Sequence, residues 1–207
     1  LMLDYGIFYE FIPMDTFGTP NQKIIRLADV ELFKNYAIVI TTNSGLWRYL
    51  IGDTVRFTSL NPYRIRVSGR TKHHINVFGE ELMVENTDQA IAKACQLTQT
   101  EVIDYTVAPI FMEGKEKGAH EWMIEFKQNP SDLAQFQKIV DDTLQSLNSD
   151  YEAKRHNNMT LNPLVINLAR PQLFYDWLKE RDKLGGQHKI PRLSNQREYL
   201  EQLKALN

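Results

Sequence analysis

The spacing of apolar residues changes once along this chain, at Ser68-Gly69-Arg70-Thr71-Lys72, and that break limits what it can fold into. Up to residue 68 the pattern belongs to strands. Residues 7–12 are aromatic and β-branched, residues 36–42 form an apolar β run, and residues 63–67 alternate apolar with basic side chains. Asn43-Ser44-Gly45 reads as a turn, and Gly52-Asp53 as a second tight turn between strands at 46–51 and 54–58. Only 27–33 carries a weak helical spacing. The prediction for 1–68 is an antiparallel, barrel-like β-subdomain.

Beyond the break, helices and strands mix. Ala90, Ile91, Ala94 and Cys95 share one face of a predicted helix at 87–97. Residues 100–108, 120–126 and 164–168 read as strands, the second alternating Trp122, Ile124 and Phe126 with polar neighbours. Asn129 at a cap, Pro130 in the first position and Asp132 facing the dipole predict a helix start. Leu133, Phe136, Val140, Leu144 and Leu147 then form a single apolar stripe. Helices at 171–179 and 195–206, the latter capped by Ser194, close an α+β domain over 73–207.

The chain's 207 residues make about one large or two small domains. A formal net charge of −2 with 43% hydrophobic residues excludes a disordered tail, a collagen-like fibre and a strongly basic nucleic-acid binder. No apolar run approaches the roughly 20 residues of a membrane helix. Cys95 is the single cysteine, so no internal disulfide is possible, and a reducing cytoplasm is the simplest compartment. The first residue is Leu1, without a positively charged leader or a small-residue cleavage site, and a core strand is expected from residue 7. The expectation is the C-terminal piece of a longer protein.

Three short segments carry residues suited to chemistry. Gly52-Asp53 follows Trp47-Arg48-Tyr49, and a carboxylate there can accept two hydrogen bonds from a vicinal diol; an ordinary hairpin turn uses the same residues. In Gly69-Arg70-Thr71-Lys72, Arg70 offers a donor fork to phosphate or ribose oxygens and Gly69 a hinge, or the segment is a solvated linker. Lys189, after Gly185-Gly186, can bring an ammonium to a developing phosphate charge, or is a surface lysine. His73 and His74, adjacent on a strand, would point to opposite faces and could not share a metal ion. No zinc-spaced Cys/His cluster, Walker loop or Gly-x-Ser-x-Gly element is present, and no metal site is predicted.

In order and spacing the three segments resemble motifs of the auxin-responsive Gretchen-Hagen-3 family of acyl acid amido synthetases, in the acyl-adenylate-forming superfamily. Residues 45–53, Gly-Leu-Trp-Arg-Tyr-Leu-Ile-Gly-Asp, are similar to the family's Tyr-Arg-x-Gly-Asp nucleotide motif. Gly69-Arg70-Thr71-Lys72 resembles the superfamily's inter-domain hinge, and Lys189-Ile190-Pro191-Arg192 the family's closing Lys-x-Pro-Arg. Residues 7–13 resemble its Tyr-Phe-Glu-Phe-Leu-Pro strand. The chain departs at Leu50, where the family usually has Arg, though Arg48 is kept. The family's phosphate loop would lie upstream of Leu1.

The resemblance implies the β-rich end of a large N-terminal domain over 1–68, a hinge at 69–72 and a small α/β-sandwich C-terminal domain over 73–207. It implies ATP and Mg²⁺, a carboxylic acid substrate, an amino acid acceptor and the missing N-terminal part of the same chain as partners. Nucleic acid and membrane are not among them. Tyr49, Gly52, Asp53 and Arg70 would bind nucleotide, Asp53 holding the ribose diol. Lys72 would be the pivot with Gly69, and Lys189 would stabilise the α-phosphorus during adenylation. An acyl-CoA ligase and a non-catalytic binding or interaction domain are the alternatives.

Overall fold

A computed structural model describes residues 1–71, 73–112, 114, 116–156, 160–182 and 189–207. The backbone divides into two compact units, Leu1–Lys72 and His73–Asn207.

In the first unit, β1 (Ile7–Pro13), β2 (Ile25–Arg26), β3 (Asn35–Thr42), β4 (Tyr49–Leu60) and β5 (Tyr63–Arg70) form one antiparallel sheet in the order β2-β1-β3-β4-β5. β2 and β5 are its edges among the described residues, so the sheet is open rather than a closed barrel. Its centre is covered on both faces. Phe11, Tyr36, Ile38, Val55 and Phe57 pack on one side, with the Phe11 and Phe57 rings edge to face at 5.1 Å; Ile12, Met14, Ala37 and Val39 pack on the other. That double burial is why residues 36–39 read as a continuous apolar run. The weak helical spacing near 27–33 becomes one 3-10 turn, Leu27–Asp29.

The predicted turn at Gly52-Asp53 is not a turn. Both residues lie inside β4, where Ala37 pairs with Thr54 and Val39 with Leu50, so the single β3 residue Ile38 faces the stretch 51–53. The strand bulges there, and Gly52 takes φ 90°, a conformation that L side chains rarely adopt.

The second unit runs β6 (His74–Ile75), β7 (Leu82–Met83), α1 (Val84–Thr98), β8 (Glu101–Ile110), β9 (Ala119–Gln128), α2 (Leu133–Leu147), α3 (Ser149–Arg155), β10 (Val165–Leu168), α4 (Leu173–Lys179) and α5 (Glu198–Leu206). β9 lies between antiparallel β8 and parallel β10. Trp122, Ile124 and Phe126 point to one face, against α1 and α2 residues such as Ile91, Phe136 and Val140. Met123 points to the other, against Leu173, Trp177, Leu200 and Leu203 of α4 and α5. The unit is therefore an α+β sandwich with helices on both faces of the sheet. Among the described residues no helix is long and apolar enough to cross a membrane.

Helix starts differ from the spacing. Asp132, not Asn129, caps α2 by accepting the Gln135 N–H at 2.9 Å, so the helix begins at the first stripe residue, Leu133. α5 begins at Glu198 because Asn195 is committed elsewhere: it accepts the Asn76 N–H at 2.9 Å and donates to the His74 carbonyl at 3.0 Å. Ser194 accepts the Gln196 N–H and caps no helix.

The alternation in β9 also has a different outcome from a half-buried strand. Its carboxylates are covered too, and each is paired. Glu125 accepts the Gln172 and Phe174 N–H groups and so caps α4, whose preceding residue, Gln172, has a left-handed backbone and makes no side-chain cap. Glu121 accepts from Arg197 at 2.5 Å, Asn167 at 2.7 Å and Lys204 at 3.0 Å. Burial pushes the Glu121 carboxyl up, but these bonds outweigh it and hold the group below its ordinary 4.5. A carboxyl lowered by folding stabilises the fold above its ordinary value, and that stability is lost as pH falls through the lowered one. Glu121→Gln should therefore flatten the acid limb of a stability-against-pH curve below pH 4.5, as read by urea unfolding.

A second polar cluster joins α2 to α3. The buried Asp141 carboxylate accepts from Arg155 at 2.7 Å and from the Tyr151 hydroxyl at 2.7 Å, while Arg155 also donates to the Leu161 carbonyl at 2.9 Å. Asp141→Ala leaves a buried guanidinium without its carboxylate and should cost roughly 3–5 kcal/mol. Asp141→Leu with Arg155→Met should cost less, and urea melts of the two variants would decide.

Candidate nucleotide and lysine sites

Asp53 is the last residue of the stretch where β4 bulges against β3. On its other side β4 pairs with β5, where Val55 opposes Val67 and Thr54 opposes Gly69, so Ser68 is an extra residue and Asp53 stands directly opposite Arg70. Arg70 Nε lies 3.4 Å from Asp53 Oδ1, long for a charge-assisted hydrogen bond. The arginine side chain is 69% exposed and the aspartate 37%. Two candidate residues from separate motifs thus share one exposed patch, and among the described residues neither is committed to a tight pair. The Gly52 carbonyl is held from the other strand end, accepting the Thr71 N–H at 2.9 Å and its hydroxyl at 3.3 Å. Tyr49 opens β4 opposite Ile40 and is half exposed.

Gly69 and Arg70 are the last residues of β5, and Lys72 lies outside the described residues. Arg48 is committed to another partner: it donates through Nε and Nη2 to the two oxygens of Glu10 at 3.0 and 3.1 Å. This bidentate pair joins β1 to the segment before β4. Nothing in the spacing of Glu10 and Arg48, 38 residues apart, announces it.

In the second unit, Lys189 is exposed beside a cavity of about 240 Å³ whose wall includes His73, Val84, Ile103, Asp104 and Arg192. Burial raises the Asp104 carboxyl, opposed by its bond from the Tyr105 N–H and by the charges of Arg192 and Lys189. Gly185 and Gly186 lie outside the described residues. Past Lys189 the chain is firmly held: Ile190 is buried against Met123 and Leu203, and Arg192 forms an ion pair with Asp88 of α1. The sequence reading missed Asp88, Asp104 and Tyr105, because their relation to Lys189 exists only once α1, β8 and the closing segment pack together. His73 is half-buried and His74 buried. Among the described residues no three His, Cys, Asp or Glu side chains form a metal-binding group.

Comparison with known proteins bears on both units. Residues 1–70 match the GH3 family central domain and residues 85–198 the GH3 family C-terminal domain. The indole-3-acetic acid-amido synthetase GH3.3 of Arabidopsis thaliana is 27% identical over 198 residues, covering 89% of this chain and 33% of that protein. GH3.8 of Oryza sativa subsp. indica, another indole-3-acetic acid-amido synthetase, is 25% identical over 206 residues, with the same coverage of 89% and 33%. The chain spans about a third of the length of these curated relatives. A solved structure of the GH3.15 acyl acid amido synthetase shares the fold, with a TM-score of 0.66 at 23% identity, covering 96% of this chain and 36% of that one.

An exposed ion pair of this kind contributes little to folding, about 0–1 kcal/mol. Asp53→Asn should therefore move the urea midpoint of the first unit's unfolding hardly at all. A loss above about 2 kcal/mol would make Asp53 a structural residue, since exposed pairs do not reach that magnitude.

Proposed function

The chain belongs to the GH3 family, and on that premise we propose that it is the C-terminal portion of an ATP-dependent acyl acid amido synthetase. The observation that carries this reading is the meeting of Asp53 and Arg70 across β4 and β5, 3.4 Å apart and exposed, inside the segment matching the family's central domain. An aspartate so placed can accept both hydroxyls of a ribose diol, while the guanidinium turns from it to a phosphate oxygen. The Gly52 bulge brings backbone close to a ligand without a side chain in the way.

The reaction runs in two steps. A carboxylate oxygen of the acid attacks the α-phosphorus of ATP, the bond to the β-phosphate oxygen breaks, and pyrophosphate leaves. The amine of an amino acid then attacks the acyl carbonyl, loses a proton, and AMP departs. Lys189 serves the first step: its ammonium lies against charge building on the α-phosphate oxygens, an oriented electrostatic contribution. Gly69 and Lys72 act as hinge and pivot, so that the lysine engages for one half-reaction and withdraws for the other. Mg²⁺ would neutralise phosphate charge when ATP is bound; the described residues offer it no cluster of ligands, and it is assigned to none of them. The 207-residue chain alone is expected to hold nucleotide weakly and to turn nothing over.

In the full-length protein, with panels of carboxylic and amino acids, pyrophosphate exchange should depend on the acid and AMP release on the amine. Lys189→Ala should lower exchange about 10²-fold or more, as removal of one oriented charge-stabilising group does. Asp53→Ala should raise the KM for ATP. AMP release that requires CoA and ignores every amino acid would make the protein an acyl-CoA ligase instead. Exchange at background in the parent would make it a non-catalytic binding domain.

A further inference from the structure

A lysine ammonium stabilises charge only as well as its backbone root is placed, because the long side chain has many rotamers and no rigid fork. The root of Lys189 is unusually well defined on its C-terminal side. The Pro191 carbonyl accepts the Thr106 hydroxyl at 2.7 Å, and the Arg192 carbonyl accepts the Val107 N–H at 2.8 Å. Val107 in turn accepts the Ser194 N–H at 3.1 Å, so this segment lies along the edge of β8 as a short parallel bridge.

The Arg192 side chain adds a second hold. Its Nη1 bonds Asp88 Oδ1 on α1, and its guanidinium carbon lies 5.1 Å from the centre of the Tyr105 ring. Tyr105 donates its hydroxyl to the same Asp88 oxygen at 2.5 Å and stacks on the fully buried Trp122 at 5.4 Å. Partial burial works against the Arg192 charge, but the carboxylates of Asp88 and Asp104 favour it, and the guanidinium stays ionised. Three residues after the lysine, the chain is tied to the centre of the unit through both backbone and side chain.

We propose that Asp88 and Arg192 form a clamp that sets the reach of Lys189 for adenylation. They act as positioning residues, through Lys189, and the assignment rests on Lys189 being the adenylating lysine. A carboxylate–guanidinium pair suits the task because its fork fixes direction as well as distance. The backbone bonds and the buried Ile190 hold the segment against β8, and the Arg192–Asp88 pair adds a tie to α1.

The test uses the full-length enzyme and separates its half-reactions: pyrophosphate exchange for adenylation, and amide formation from preformed acyl-adenylate for transfer. Arg192→Gln should lower kcat of exchange about 10- to 100-fold, the range expected when a reacting group is misplaced by an ångström or so. KM for ATP and the transfer rate should stay within about two-fold of the parent, and in a Lys189→Ala background the same change should cost no more than about two-fold, because the lysine it positions is gone. Losses that multiply in the double variant, or a transfer rate that falls as far as exchange, would overturn the clamp. If Arg192→Gln does not fold, Asp88→Asn, which keeps the shape and removes the charge, carries the same measurements. Exchange unchanged by Lys189→Ala would overturn the lysine assignment itself. Exchange lost with Lys189→Ala but unchanged with Arg192→Gln would overturn the clamp alone.

Discussion

A strand buried on both faces must have every carboxylate it carries answered by a neighbour, and β9 is such a strand over residues 119–126. Residues 119–126 are all buried, with Trp122 and Ile124 fully so. An unpaired carboxylate there would cost several kcal/mol. Glu121 and Glu125 avoid this by becoming joints. One gathers Arg197, Lys204 and Asn167; the other caps α4 through Gln172 and Phe174. The helical layer over Met123 is thus fixed by charge as well as by apolar contact. On the opposite face, Trp122 gives Tyr105 a rigid surface to stack on, and Tyr105 carries that rigidity outward to Asp88 and Arg192. The placement of the closing segment therefore begins in the core.

The first unit solves a different problem, that of presenting polar groups from a sheet buried at its centre. The bulge at 51–53 lets β4 follow β3 on one side and β5 on the other while changing which residues oppose each other. Asp53 and Arg70 come to face each other near the end of this strand pair, where both are reached by solvent. Arg48, one turn of chain earlier, is drawn instead into a bidentate pair with Glu10. The two arginines thus differ, Arg48 held by a bidentate pair and Arg70 exposed with a longer contact to Asp53.

In the proposed reaction the two units supply complementary parts, a diol acceptor with a phosphate donor from one and an ammonium from the other. Each part is built on regular structure: Asp53 and Arg70 on paired strands, Lys189 just before a segment bonded to β8. Rigid roots are what allow a charge to act on a transition state without first being organised by it.

By itself the sequence determined the kinds of element and their order. The strand pattern before Ser68, the stripe from Leu133 to Leu147 and the mixture of helices and strands beyond residue 73 follow from local periodicity, and the structure carries them. It also offered Asp53, Arg70 and Lys189 as candidates by residue type and motif. It could not reveal that Gly52 sits in a bulge rather than a turn, since a glycine with positive φ serves both. Nor could it pair Asp53 with Arg70, which depends on a register shift, or Arg192 with Asp88, 104 residues away. The start of the last helix moved for the same reason: Asn195 has cap chemistry, but tertiary contacts to Asn76 and His74 use it first. Local periodicity follows from which side chains avoid water, a property of each residue. Pairing across a sheet or between a helix and a distant segment is a property of packing, and only the folded chain decided it.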